Sequence, residues 1–320
     1  MTLRSSRARC GRPSDVPASS YTVCHVTEIW AAIGSTMTVL RHADLGFVGA
    51  ALVVDTLALV LMSFRWRLLL RSLGSGASLW EALVAYAAGV FVCNVTPART
   101  VGGDACRAAL IRRPGGVPPM KAVAASVVYD RMTDVPGLLM LGALAAPILK
   151  PTSGWTILGL LALAVVVAAP LLYRRLVRRM AERHPAIIGR AMGTSMAAAA
   201  ACSLVIWSLD ITRIMLVGRA FGVRFLPGQA AAVTLLRLGT GVVPVPAGIG
   251  VVDSALVAAF VWLGQPLSSA AALAIVERAI VFGWDTALGA VALLLSGGTR
   301  ALQRARTGAA SLDATSDQER

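Results

Sequence analysis

Asn94-Val95-Thr96-Pro97-Ala98-Arg99-Thr100-Val101-Gly102-Gly103-Asp104 interrupts a chain that is otherwise strongly apolar. A second stretch, Val243-Pro244-Val245-Pro246-Ala247-Gly248-Ile249-Gly250-Val251-Val252-Asp253, repeats its plan. Pro97 precedes Asp104 by seven residues, and Pro246 precedes Asp253 by the same seven. Each stretch follows an apolar segment. Each is followed by an apolar helix that carries an acid beside an arginine, Asp130-Arg131 in one case and Glu277-Arg278 in the other.

The surrounding composition decides the solvent. Of 320 residues, 57 % are hydrophobic and 14 % charged, with a mean hydropathy of +0.72, against roughly a quarter charged in soluble proteins. This is the composition of an integral membrane protein. The net charge of +14 comes from arginine, since Lys121 and Lys150 are the only lysines. Those arginines are expected in short loops beside apolar spans, where orientation and anionic headgroups place them, so nucleic acid is excluded as a partner. Cys10, Cys24, Cys93, Cys106 and Cys202 form no CxxC pair, and neither a disulfide framework nor a metal site is implied. The first fifteen residues carry four arginines but lead into Pro, Ser, His and Glu, not into the compact apolar run of a cleavable signal peptide.

Working outward, residues 1–27 read as a disordered cytoplasmic tail, 28–298 as one transmembrane domain and 299–320 as a second disordered cytoplasmic tail. Ile29 to Leu40 is too short to cross unaided, because a hydrocarbon core of about 30 Å needs about twenty helical residues. Leu45 to Phe64 has the length, broken by Asp55, and ends at Arg65-Trp66-Arg67, a pattern that predicts a cytoplasmic interface. Trp80 to Arg113 reads as a re-entrant hairpin with the first break at its tip. Lys121 to Leu149 is long enough to cross, with a kink expected at Pro136. Trp155 to Tyr173 is a clean span leading to a basic loop from Arg174 to Arg190. In Ser195 to Gly218, Asp210 and Arg213 lie three apart on one helical face, where they can pair. Gln229 to Val243 and Val251 to Leu263 flank the second break, and Ser268 to Leu295 forms the last span. Three crossings between the hairpins invert the second unit relative to the first, the plan of inverted-topology repeats. The expected fold is therefore an all-α, polytopic membrane helix bundle with two inverted-repeat re-entrant hairpins and both termini cytoplasmic.

A proline and glycine break inside a bilayer frees backbone N–H and C=O groups, which are tolerated only when buried in protein or facing a watered cavity. Helix starts after Gly103 and Gly250 would present N–H groups to an anion, with Asp104 and Asp253 as caps. Arg99, Arg107, Arg131 and Arg278 would add fixed positive charge. The bland reading is that the charges pair locally: Arg131 with Asp134, Asp210 with Arg213, Arg278 with Asp285. An unpaired charge at mid-bilayer costs about 2.5–3.5 kcal/mol on the insertion scale. For Asp210 and Arg213 the local pair is the preferred reading; for the acid–arginine pairs at the hairpins, several charges in two related places favour a lined pathway.

Enzyme chemistry finds little support. His25, His42 and His184 lie in tails or loops, and HExxH, GxSxG and Walker patterns are absent from the sequence. Cys93 and Arg99 have phosphatase-loop spacing, but no glycine lies between them to turn amides toward a phosphate. Gly248 and Gly250 follow no strand and make no dinucleotide site. No cofactor is implied.

At these residues the chain resembles the flippase-like membrane domain of lysylphosphatidylglycerol synthetases, which also occurs as a stand-alone membrane protein. Asn94, Pro97, Arg99, Gly103-Asp104 and Arg107 match the family's first break, with Gly102 beside them and Asp in place of Glu. Asp130-Arg131 stands where the family has Glu-Arg, again with Asp for Glu, and Asp134 lies one turn further on. Pro244, Pro246, Gly248, Gly250, Asp253 and Arg278 match the second half, with Ala247 for a glycine and Asp253 for Glu; Glu277 accompanies Arg278. The shorter acids alter any contact distance carried over. The resemblance covers about residues 28–298. It implies handling or translocation of a polar anionic lipid, a phospholipid or a polyprenyl-phosphate carrier, at the plasma membrane. Membrane lipids are then the partners, with a glycosyltransferase or lipid-modifying enzyme as an expected protein partner. With no soluble transferase sequence after Leu295, lipid aminoacylation is not implied. The competing readings are a membrane enzyme using Asp104 or Asp253 as base on a lipid-linked phosphate, and an accessory subunit of envelope lipid or glycan synthesis.

Overall fold

The computed structural model describes residues 33–96, 99–111, 120–148, 190–240 and 248–297. Pro97, Pro244 and Pro246, both tails, the span Trp155–Tyr173 and the basic loop after it lie outside the described residues, as does the side chain of Arg99. Among the described residues every regular element is helical. After a short helical stretch at 33–41 come α1 (Leu45–Ser72), α2 (Leu79–Val95), α3 (Arg99–Ile111), α4 (Met120–Met132), α5 (Val135–Ala145), α6 (Arg190–Ala220), α7 (Pro227–Thr240), α8 (Val251–Trp262), α9 (Leu267–Arg278), a π-helical segment (Ala279–Trp284) and α10 (Asp285–Leu295).

Among the described residues, three helical stretches are long and apolar enough to cross a membrane: α1, residues 194–220 of α6, and the continuous α9–π–α10 rod of 29 residues. By contrast, α2 has 17 residues and α8 has 12, so at about 1.5 Å per residue neither spans a core of about 30 Å. Each packs against its neighbour in sequence, α2 on α3 and α7 on α8, in the paired short helices expected at the two breaks. Segment α4–α5 bends at Thr133–Asp134, where Pro136 sits in the first turn of α5 and is accommodated without losing a helical bond.

Local chemistry sets the ends. Asp44 accepts from the Gly46 N–H at 2.8 Å and starts α1. Ser78 and Glu81 form a reciprocal capping box on α2, at 3.2 and 2.8 Å. The approach of α2 to α3 is set by glycine: a Cβ on Gly103 would lie 2.5 Å from the Gly89 carbonyl and 2.9 Å from Cys93 Cβ. Small residues permit the backbones to close, the usual device for packing helices in lipid.

The two longest helices run antiparallel. The Asp44 N–H, before α1, donates to the Ala220 carbonyl at the end of α6 at 2.9 Å. Further along α1, Asp55 meets Arg213 and Arg65 meets Ser203, so positions advance on one helix as they recede on the other. One apolar cluster (Leu141, Ile214, Leu256, Phe260, Leu273) joins α5 through α9. A second (Trp66, Leu70, Ala85, Ile111, Val123) joins α1 through α4 and takes in Ala292 of α10.

Candidate functional site

Inside these clusters lie two charged networks, one built around Arg65 and the other around Arg213. Arg65 is 2 % exposed. Its Nε donates to Asp130 Oδ1 at 2.9 Å, and its Nη1 reaches both Asp134 and Ser203 Oγ, the latter at 2.6 Å. Arg107 Nη1 donates to the other Asp130 oxygen at 2.8 Å, and its guanidinium lies 5.0 Å from the Trp66 ring and 4.9 Å from the Tyr86 ring. These rings give the cation a π-face in addition to its carboxylate.

The second network has the same skeleton. Arg213 Nη2 donates to Glu277 Oε1 at 2.9 Å and Nη1 to Asp55 Oδ1 at 2.8 Å. It also contacts Asp210 at 2.5 Å. Arg237 Nη2 donates to both Asp210 oxygens, at 3.0 and 2.9 Å, and Thr234 donates to Asp210 Oδ2 at 3.1 Å. Arg65 and Asp130 are 65 residues apart, Arg213 and Glu277 64. Arg213 follows Arg65 by 148 positions, Glu277 follows Asp130 by 147 and Asp253 follows Asp104 by 149. The partners across α1 and α6 follow the same shift: Ser203, which binds Arg65, stands 148 positions after Asp55, which binds Arg213.

Each network carries an outer ion pair at its paired short helices. Arg131 Nη2 donates to Asp104 Oδ1 at 2.9 Å, and Arg278 Nε contacts Asp253 Oδ1 at 2.8 Å. The outer groups reach the surface, with Arg131 46 % exposed, Asp253 40 % and Arg278 19 %. Arg278 also lies 4.8 Å from the Phe282 ring.

Several sequence expectations change here. Asp253 does cap its helix, accepting from the Gly250 N–H at 2.9 Å, and Gly250 has φ +83°, a conformation glycine adopts without strain. Asp104 does not cap: α3 begins at Arg99, so Gly102, Gly103 and Asp104 lie within the helix, and the Gly103 amide is no anion-facing helix start. The local pairs expected for Arg131 with Asp134 and Arg278 with Asp285 give way to longer-range ones, because the hairpin acids stand closer than the helix-mates. Arg65 and Trp66 are not an interfacial end. α1 continues through Ser72, and both side chains are buried against α4. Asp210 and Arg213 do pair on one face of α6, as expected. Asn94 Nδ2 donates to Thr286 at 2.9 Å and ties the first short-helix pair to α10. Gly248 lies at the first described turn before Gly250. Arg65, Asp55 and Ser203 were not among the expected site residues; the near-equal spacing of Arg65 to Asp130 and Arg213 to Glu277 is the signal in the sequence that could have found them.

The model of the family described as the lysylphosphatidylglycerol synthase TM region matches residues 26–289. The chain belongs to that family. A UPF0104 membrane protein of Pyrococcus horikoshii is 22 % identical, covering 83 % of this chain and 91 % of the relative. A UPF0104 membrane protein of Methanothermobacter thermautotrophicus is 24 % identical, over 81 % and 88 %, and one of Methanocaldococcus jannaschii 23 %, over 84 % and 91 %. No solved structure matches the chain. The family match takes in both breaks, and the chain is a membrane protein.

Proposed function

We propose that this protein moves a polar anionic lipid, a phospholipid or a polyprenyl-phosphate carrier, between membrane leaflets. The observation that carries the reading is the repeated outer pair: Arg131 with Asp104 and Arg278 with Asp253, each at the end of a buried network and each partly exposed. An arginine held this way sits in a planar geometry that accepts a lipid phosphate by bidentate hydrogen bonds, with the carboxylate as a placeholder when the phosphate leaves. The buried arginines behind them keep the acid-bearing helices in register, so the outer guanidiniums are presented and not drawn inward.

The antiparallel run of α1 and α6, with the matched spacing of their charges, supports an inverted relation between the halves. On that relation one outer pair faces each leaflet, and a headgroup handed from Arg131 to Arg278 crosses the bilayer. Asp104 and Asp253 are engaged by cations, which argues against their use as free catalytic bases. The test is transbilayer movement of a fluorescent phospholipid and of a polyprenyl phosphate in vesicles carrying the full-length protein. Arg131→Ala and Arg278→Ala should each slow movement of the accepted lipid at least tenfold while leaving the helix content intact. Equal rates in the wild type and both variants would sink the reading.

A further inference from the structure

The second network holds more acid than base. Four carboxylates, Asp55, Asp210, Glu277 and Asp285, share a buried region with two guanidiniums, Arg213 and Arg237. Arg213 serves Asp55, Asp210 and Glu277, and Arg237 serves Asp210. Asp285 is the acid left over. Its carboxyl group, at the first position of α10, is set beside that of Asp55 on α1, because Trp284, the residue before it, donates through Nε1 to Thr56, the residue after Asp55, at 2.9 Å. No donor from the protein's described residues reaches the buried Oδ2 of Asp55 or Oδ1 of Asp285, and Asp55 is only 5 % exposed. Two carboxylate oxygens both accept, so a hydrogen bond between them requires a proton. Carboxylates in contact cannot both ionise in a dry site.

We propose that Asp55 and Asp285 form a carboxyl–carboxylate pair holding one exchangeable proton, and that this pair is the coupling site through which a proton gradient drives the protein. The drive rests on the lipid-moving function above; the proton site itself does not. When the proton leaves, the O–H bond of the acid breaks, the electron pair stays on the carboxylate and the proton passes to water. Two buried anions then face each other across α1 and α10, and the helices must part or a cation must approach. The groups positioned to respond are Arg213 and Asp210 on α6, Arg237 on α7 and Glu277 on α9, while α2 offers the neutral Asn94, bound to Thr286.

The route from this site to the outer pair is short. Between Arg278 and Asp285 lies the π-helical segment Ala279–Trp284, a rare backbone form that recurs at functional sites. Trp284 Nε1 donates to Thr56 at 2.9 Å, so residues 284 and 285 both hold α1 at neighbouring positions. Loss of the proton loosens that clasp, and rewinding of the π segment turns Arg278 relative to Asp253. The first half has no counterpart: Gly137 stands 148 positions before Asp285, and Ser203 takes the place of Asp55.

The proton site is tested without lipid, by infrared spectroscopy of the detergent-solubilised full-length protein across a pH series. A protonated-carboxyl C=O band should vanish as pH rises, and should be missing in both Asp285→Asn and Asp55→Asn. A wild type without a titrating band, or a band that persists in both variants, overturns the pair. In vesicles, an imposed pH gradient should accelerate lipid movement several-fold in the wild type and leave Asp285→Asn unchanged. Equal responses in the two proteins, or a response to a sodium gradient in place of pH, overturns the coupling. If no lipid moves in any protein, the functional reading falls with the coupling, and the infrared band still decides the proton site.

Discussion

The half of the molecule around Arg65 and the half around Arg213 share a skeleton but not a charge balance. In the first, Arg65, Arg107 and Arg131 face Asp104, Asp130 and Asp134, three cations to three anions, with Ser203 as the neutral partner from α6. In the second, Asp55 occupies the place of that serine, Asp285 is added, and one arginine carries three acids. A balanced buried network is closed and holds helices in place. A network with surplus acid keeps its shape only with bound protons or a moving cation. The contrast assigns anchoring to the first half and responsiveness to the second.

If that contrast is right, the largest stability loss follows Arg213→Ala. Removing it strands Asp55 and Glu277 in an apolar interior and leaves Asp210 to Arg237 alone, and breaking one buried pair already costs about 3–5 kcal/mol. The variant is expected to melt furthest below wild type in detergent, or not to accumulate. Arg65→Ala, which strands Asp130 and Asp134 while Arg107 still holds Asp130, should be less severe. Thermal melts of the two variants side by side check the order, and a reversal would show the first half to be the more brittle.

The acids give the next step down. Asp130→Asn leaves both Arg65 and Arg107 short of a buried counterion, at about 3 kcal/mol. Glu277→Gln leaves Arg213 with Asp55 and Asp210, and relieves an excess of negative charge. It is expected to cost about 1 kcal/mol, within the net worth of one hydrogen bond. Equal losses for the two variants, measured by melting at neutral pH, would remove the difference in charge balance. Gly103→Ala belongs near the same level. The added methyl would collide with the Gly89 carbonyl and Cys93, and overpacking of this kind costs about 1–3 kcal/mol. Splaying of α2 from α3 should also lower lipid movement.

Much of this was legible in the sequence, and the part that was not has a physical cause. Composition and span length gave a helical membrane protein, and the two Pro/Gly breaks gave the paired short helices, because chain length against bilayer thickness is a constraint that any single sequence displays. The acid–arginine dipeptides on α4 and α9 were visible as repeated text. Their partners were not, because Arg65 and Arg213 lie on helices distant in sequence, where only packing brings them together. Arg65 was misleading in a specific way: Arg65-Trp66-Arg67 has the composition of an interfacial belt, yet Trp66 donates to Ser126 inside the bundle and Arg65 is buried beside it. An aromatic next to arginine marks a polar environment, which in a membrane protein is as well supplied by a buried carboxylate as by the headgroups. Asp104 failed for a related reason. Glycine pairs mark helix starts in soluble loops, whereas Gly103 here serves the close approach of α2 inside a helix.

The smallest stability effect belongs to the outer pairs, and there stability and function should separate. Arg131 is 46 % exposed, and an exposed pair contributes about 0–1 kcal/mol because water and salt already screen it. Arg278 is more enclosed and also touches Phe282, so its loss should cost slightly more. Neither alanine variant should melt more than a few degrees below wild type, yet both should lose lipid movement. Salt provides the independent check: raising ionic strength should weaken phosphate-lipid binding at these exposed guanidiniums while leaving the melting points set by Arg65 and Arg213 almost unmoved, since buried pairs escape screening. If Arg131→Ala melts as low as Arg65→Ala, Arg131 is part of the anchor and the exchangeable position in the first half must be sought elsewhere.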